Sequence, residues 1–387
     1  MNTSDNDNFK PEGIIGVFAL FAICAAVIFL IPVSGDAESF VLSILQVAPF
    51  VTLGMLAYLS ERFPGLKIPT YMCLFSLIGI SALLAVGIGA VSILPPEIIS
   101  ATDDAFIEAS IEAGAFNAEI LQLTLLFCLT VIAGLFSLVG LSTKFREFLA
   151  RYIPIDPKSF PHKIALVAIL AITLTMVVPL LVTGAPPYLS EAFLNAPDQM
   201  MSDAITLDIF TLLSMVLASF LLAGLFTTRN LKDVAERLGL VKPSGREILI
   251  AAGFGILLVA LFTGIDHLIS FIWDYMGWAT TDSEAVNKLF AAYLTPVGIV
   301  VAAVCAGFGE EIAIRGLLQP KFGIIIPSLL FAALHAFQYS WDGVLSVFIA
   351  GIIFAIIRSR YNTSVSAITH TVYDFILFFV IMTGISI

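Results

Sequence analysis

Apolar positions in this chain gather into long blocks free of charge. Residues 13–35, 39–60, 68–96, 120–143, 164–190, 209–228 and 248–265 contain no Asp, Glu, Lys or Arg. Each block is about long enough to cross a hydrocarbon core of roughly 30 Å as a helix. One further run, GIVVAAVCAGFGEEIAIRGLLQPKFG, holds Glu310, Glu311 and Arg315 within six residues, and apolar blocks follow at 327–341, 343–357 and 361–387. The pattern predicts about eleven transmembrane helices.

Composition points the same way. Hydrophobic residues make up 59% of the 387 positions and charged residues 12%, with a mean hydropathy of +1.03, far outside the range of a soluble domain. The expected fold class is an all-α, polytopic integral membrane protein. The first block is too long for the core of a signal peptide, and the stretch before it, MNTSDNDNFKPE, is not basic, so it reads as a retained span. Cys24, Cys73, Cys128 and Cys305 all lie in apolar blocks without paired spacing and read as small buried hydrophobes.

Basic residues set the expected orientation, because cytoplasmic loops retain Lys and Arg. With the N-terminus inside, Lys10, Arg62, Lys67, the Lys and Arg residues of 144–163 and of 229–246, Lys321, Arg358 and Arg360 all fall on the cytoplasmic side. Of the 18 basic residues, Lys288 falls outside and Arg315 within a span. The other face is acidic, with Glu97, Asp103, Asp104, Glu108, Glu112 and Glu119 in one loop and Glu191, Asp198, Asp203 and Asp208 in another. The net charge of −11 is therefore a consequence of topology and carries no signal for nucleic acid. A multi-pass protein of the cell (plasma) membrane is expected, with lipids and a peptide or membrane-protein substrate as its partners.

A division is expected near RNLKDVAERLGLVKPSGREILI, where Leu231, Val234, Ala235 and Leu238 recur at helical spacing beside charges, as in a helix lying on the cytoplasmic interface. Pro243, Ser244 and Gly245 then break it. Residues 1–245 hold about six spans of unassigned role and almost no intramembrane charge. Residues 246–387 hold the polar groups.

Charges within a membrane are expensive and face a protein interior or a wet cavity. Glu311 and Arg315 are four apart and share one helical face, so they can pair, which leaves Glu310 without that partner. Phe331 and His335 in FAALH, and His370 and Asp374 in HTVYD, repeat the four-residue spacing. Phe331 reads as a packing residue. Counting inward from Lys321 and Arg360 as markers of the cytoplasmic surface puts Glu311 and His370 both at about 15 Å, and His335 at about 12 Å if its helix begins near Pro327. Three neighbouring helices can thus bring two carboxylates, two imidazoles and an Asp to one level. His162, in a basic loop, and His267, beside Trp273, Tyr275 and Trp278 in an interface belt, are not expected in the site.

Such a set suits hydrolysis by a carboxylate that takes a proton from water, with an imidazole to position that water or donate to the leaving amine and a further donor to stabilise an oxyanion. Equally, Glu310, His335 and His370 could hold a divalent metal such as zinc with a position open for water. A transporter or channel relaying protons through the same groups, and a scaffold or immunity protein that only binds, are the competing classes.

EEIAIR, FAALH and HTVYD, in that order, resemble the three motifs of the CPBP family of intramembrane proteases, which includes the type II CAAX prenyl endopeptidases and bacteriocin-processing or self-immunity proteins. The resemblance covers roughly 246–387, and RGLLQ after it also looks like the family. It implies an intramembrane endopeptidase in which Glu310, with His335, activates water, while His370 and the residue four later stabilise the oxyanion. CAAX endopeptidases carry Asn at that last position, where this chain has Asp374. An ionised carboxylate there would repel an oxyanion, so Asp374 is protonated, orients His370 or binds a metal. The site is expected to be reached from the cytoplasmic half of the bilayer.

Overall fold

Long helices account for most of the described residues. The computed structural model describes residues 9–31, 33–95, 117–195 and 204–384. Ten helices among them are long and apolar enough to cross a membrane: α1 (Pro11–Leu30), α2 (Asp36–Arg62), α3 (Pro64–Ile93), α4 (Asn117–Leu141), α6 (Phe160–Thr183), α7 (Ala204–Leu222), α9 (Gly245–Met276), α11 (Pro296–Phe322), α13 (Trp341–Arg360) and α14 (Thr363–Thr383). Shorter helices lie between them: α5 (Thr143–Leu149), α8 (Leu231–Leu238), α10 (Ser283–Leu289) and α12 (Ile325–Leu334). There is no strand among the described residues. The protein is an all-α, multi-pass membrane protein.

Three expectations need correction. The block at 327–341 is not an eleventh span: α12 has ten residues, a rise of about 15 Å, half a hydrocarbon core. It stops at His335 and the chain turns before Ser340 opens α13. The seventh span does not end at residue 265 but continues to Met276, where Gly277 at φ 68° closes the helix, and this carries Asp266 inside it. Asp208 belongs to no loop, because α7 already begins at Ala204. Of the expected acidic outer loops, Glu97, Asp103, Asp104, Glu108, Glu112, Asp198 and Asp203 lie outside the described residues.

Helix ends follow local chemistry. Ser244 accepts from the Glu247 amide while the Glu247 carboxylate accepts from the Ser244 amide at 2.8 Å, a reciprocal cap that starts α9 just after Pro243. Asn230 caps α8, and Gly239 at φ 72° ends it. α8 does more than lie on an interface. Its Val234 and Leu238 are fully buried against Ala223, just past the end of α7, and Ile312 of α11, whereas Leu231 is exposed. Arg237 donates to the carbonyls of Gly316 and Leu317, both at 3.2 Å. Burial lowers the Arg237 guanidinium below the usual arginine range, but arginine stays charged at neutral pH.

Close packing centres on α11. Where lipid tails are as apolar as side chains, helices associate through small residues that let backbones approach. A Cβ on Gly307 of α11 would sit 2.6 Å from the Thr371 amide nitrogen and 2.9 Å from its Cα on α14. The N-terminal helices join the same core: Leu166 and Ile169 of α6 pack with Ile314 of α11 and with Leu330 and Phe331 of α12. Leu212 and Met215 of α7 lie close to Gly309. Outward-facing residues such as Phe29, Leu83, Leu249 and Phe271 are exposed and apolar, as a lipid-facing surface requires.

Gly307→Ala should destabilise the protein by about 1–3 kcal/mol through overpacking, seen as a lower thermal midpoint in detergent. Gly253→Ala in α9, where an added Cβ meets nothing within 4 Å, should leave that midpoint unchanged or raise it.

Candidate active site

The segment carrying the first motif is not a regular α-helix. After α-helical 296–310, residues Glu311–Leu318 form a wider π-helical turn, a conformation rare in proteins and frequent at functional sites. The sequence explains part of it. Pro320 has no N–H, and its ring clashes with the carbonyl four residues earlier, that of Gly316, so a regular ladder cannot continue over this turn. Arg237 supplies that carbonyl with a donor from α8.

Within the widened turn Glu311 and Arg315 remain paired, Oε1 to Nη1 at 3.5 Å, with both side chains at 0% exposure. The guanidinium lies over the Phe331 ring at 4.3 Å from the centroid and donates to the Gly351 carbonyl at 3.4 Å. Nε and Nη1 have no hydrogen-bond partner, so the Glu311 charge and the Phe331 face carry much of its stabilisation. Phe331, expected only to pack, also covers the site's cation and meets His335 edge-on at 4.8 Å.

Glu311 is fully engaged. Its Oε2 accepts from Ser366 Oγ at 2.6 Å and its Oε1 faces His370 Nδ1 at 3.3 Å. Asn362 caps α14, and that helix carries Ser366, His370 and Asp374 at four-residue intervals up one face. On the far side of the ring, His370 Nε2 faces Asp374 Oδ2 at 3.3 Å and Glu310 Oε2 at 4.0 Å. Phe354 of α13 stacks on the ring at 4.3 Å. Glu310 is half-buried and, among the described residues, has no Arg or Lys beside its carboxylate within 4 Å.

His335 closes α12 as its C-cap, and its Nδ1 bonds the Phe331 carbonyl at 2.8 Å. That contact makes Nδ1 the donor and leaves Nε2 as the ring's acceptor. Tyr339 stacks beside it at 6.2 Å. Glu310, His335, His370 and Asp374 line one cavity of about 460 Å³, which Glu311 and Arg315 do not reach. The geometry thus divides the six sequence candidates into a sealed pair beneath and four groups facing the cavity. His162 and His267 stand apart, bonded to the Asp156 amide and the Thr263 carbonyl respectively.

The cavity does not lead where expected. From its floor at Glu310, His370 and Phe354 it runs past Asp208 and Thr211 of α7 and Leu377 and Ile381 of α14 to Phe290 and Tyr293. These residues lie toward the helix ends opposite Lys321, Arg358 and Arg360. Beneath the floor, the buried Glu311, Arg315, Ser366 and Gln319 close the basic side. The cavity therefore extends into the half of these helices away from the basic loops, not into the half from which access is expected.

Sequence reading missed Ser366, Phe354, Tyr339 and Asp208. Ser366 carried a signal, one helical turn before His370 on the same face. Phe354 and Tyr339 look like any membrane aromatic and carried none.

Zinc fits these residues poorly. Among the described residues no three His, Cys, Asp or Glu side chains are grouped to hold an ion. His370 has a carboxylate against each ring nitrogen, which suits a ring that donates from both rather than one offering a lone pair to a metal.

Fold and site together define a membrane-embedded protein with a buried carboxylate and imidazole centre. Residues 292–376 match a family model described as Type II CAAX prenyl endopeptidase Rce1-like. The match spans under a quarter of the chain and contains Glu310, Arg315, His335, His370 and Asp374, so the resemblance drawn from the three motifs holds over this segment. That family is of a protease type, and the segment is similar to it at that level. No curated protein and no solved structure matches the chain.

Arg315→Met should destabilise the fold by about 3–5 kcal/mol, because it strands the buried Glu311 carboxylate. The double variant Glu311→Gln, Arg315→Met should lose clearly less than the sum of the two singles. Unfolding in mixed micelles, analysed as a double-mutant cycle, measures both.

Proposed function

We propose that the protein is an intramembrane endopeptidase that cleaves a peptide bond in a membrane-associated protein or peptide with a water activated by Glu310. One observation carries this reading. Of the two adjacent glutamates, Glu311 is neutralised by Arg315 and sealed, whereas Glu310 opens onto a cavity that also holds His335.

Glu310 takes a proton from water while His335 Nε2 accepts the water's other hydrogen and fixes its position. The oxygen attacks the scissile carbonyl carbon, and the resulting oxyanion faces His370 Nε2, a donor held between Asp374 and Glu310. Collapse of the tetrahedral intermediate breaks the C–N bond, and the proton held by Glu310 passes to the leaving amine. Asp374 acts through His370, which its contact orients, so a carboxylate at this position is compatible with the chemistry.

The blind floor beneath Glu310 supports this reading over a proton or ion path, which must reach both membrane faces. One turn of an α-helix fills a cylinder on the order of 400–600 Å³, comparable with the cavity of about 460 Å³. A substrate therefore presents a terminus or an unwound stretch of a few residues.

Purified protein in nanodiscs, incubated with a library of apolar peptides, should yield a specific product that falls about 100-fold or more in Glu310→Gln and in His335→Ala, with thermal midpoints close to wild type. A product undiminished in Glu310→Gln overturns the assignment. Loss of product on chelation, restored by zinc, replaces the carboxylate-activated water with a metal-bound one.

A further inference from the structure

The cavity is not built from the motif helices alone. One wall is α7, from the region before residue 246, which contributes Asp208, Thr211, Leu212 and Met215. Asp208 lies against the Tyr293 hydroxyl at the start of α11's approach. Burial and the nearby Asp208 carboxylate hold the Tyr293 phenol above its usual value, so it stays protonated beside that carboxylate. Among the described residues, Asp208, Glu310 and Asp374 are the acidic groups of the cavity, and no Lys or Arg lines it. Its other wall residues are largely apolar, among them Leu377, Phe378 and Ile381.

Two features fix direction. The side toward Lys321, Arg358 and Arg360 is closed by the ion pair, by Ser366 and by Gln319, whose amide donates to the Ala355 carbonyl at 2.8 Å and to Ser359 at 2.9 Å. The side toward Phe290 and Tyr293 holds the rest of the cavity. Asp208 is four residues into α7, about 6 Å from that helix end, whereas Glu310 is about 21 Å along α11. Any segment that meets Glu310 from that side passes Asp208 first.

Building on the endopeptidase reading, we propose that substrate enters from the membrane face opposite the basic loops, along a path walled by α7, and that Asp208 is a specificity-determining residue favouring apolar segments with a positively charged group. A basic side chain gains a carboxylate partner there, and an acidic one meets repulsion from Asp208, the cavity carboxylate that does not face His370. The region of residues 1–245 thereby acquires a function in selecting substrate through α7.

The test needs no substrate, so its failure and that of the endopeptidase reading are separable. In full-length protein with Cys24, Cys73, Cys128 and Cys305 replaced by alanine, a single cysteine is placed at Thr211, in the cavity wall, or at Lys158, in a basic connector. Each variant is reconstituted in vesicles of known protein orientation, after its thermal midpoint is checked against the parent. Impermeant methanethiosulfonates, one bearing a quaternary ammonium and one a sulfonate, are added from each face. Thr211→Cys should be modified only from the face where Lys158→Cys is silent. The cationic reagent should react at least about fivefold faster than the anionic one, as expected for a unit charge near carboxylates, and Asp208→Asn should reduce that preference. Modification of Thr211→Cys from the Lys158 face, or from neither face, overturns the route. A charge preference unchanged in Asp208→Asn overturns the role of Asp208.

Discussion

A glutamate and an arginine, paired at 3.5 Å and entirely removed from solvent in the middle of a membrane protein, are the constraint around which the site is built. Two charges at that depth are tolerable only together, and only if their remaining hydrogen-bonding capacity is met. The fold meets much of it from three directions, with Nε and Nη1 of Arg315 left to the Glu311 charge and the Phe331 face. Ser366 and His370 of α14 take the carboxylate, Phe331 of α12 covers the guanidinium, and Gly351 of α13 accepts from it. Each of these helices is held in register by the pair as much as it supports it. The widened turn of α11 belongs to the same arrangement, since it presents Glu311 and Arg315 inward while Arg237 satisfies the carbonyls at its end.

The pair also decides which glutamate can do chemistry. Adjacent residues on a helix point about 100° apart, so when Glu311 is turned into the sealed core Glu310 cannot follow it. It emerges instead on the cavity side, beside His370 and within the wall shared with His335. The sealed and the cavity-facing carboxylate are thus separated by one position in the chain. His370 links them, with one ring nitrogen on the structural carboxylate and the other on the cavity side.

Much of this was legible in the amino-acid order because membranes make polar residues conspicuous. Charge-free blocks placed the spans, and the rarity of intramembrane charge singled out Glu310, Glu311, Arg315, His335, His370 and Asp374. Spacing of four carried the Glu311 and Arg315 pair even though the turn is not α-helical, because the contact needs proximity along one face and not a specific pitch. What was not legible depends on where helices start and stop. Asp208 was read as a loop residue and Asp266 as lying beyond a span, yet α7 begins before the one and α9 ends after the other. The ten-residue α12 looked like a full span because the apolar run continues past its end into the turn at 335–340. Hydropathy does not register a turn buried by its neighbours.

The same blindness hid the direction of the cavity. Depth counted from basic residues locates a group along the membrane normal but not which way it opens, since that is decided by what plugs each side. Here the plug is the ion pair itself, together with Gln319, on the basic side, and α7 forms a wall of what remains. A centre made of three motif helices would be open along that wall. The packing of α7 against α11, with Leu212 and Met215 at the Gly309 surface, gives the early spans a physical reason to be present. They complete the enclosure in which a carboxylate, two imidazoles and a water can be kept apart from lipid.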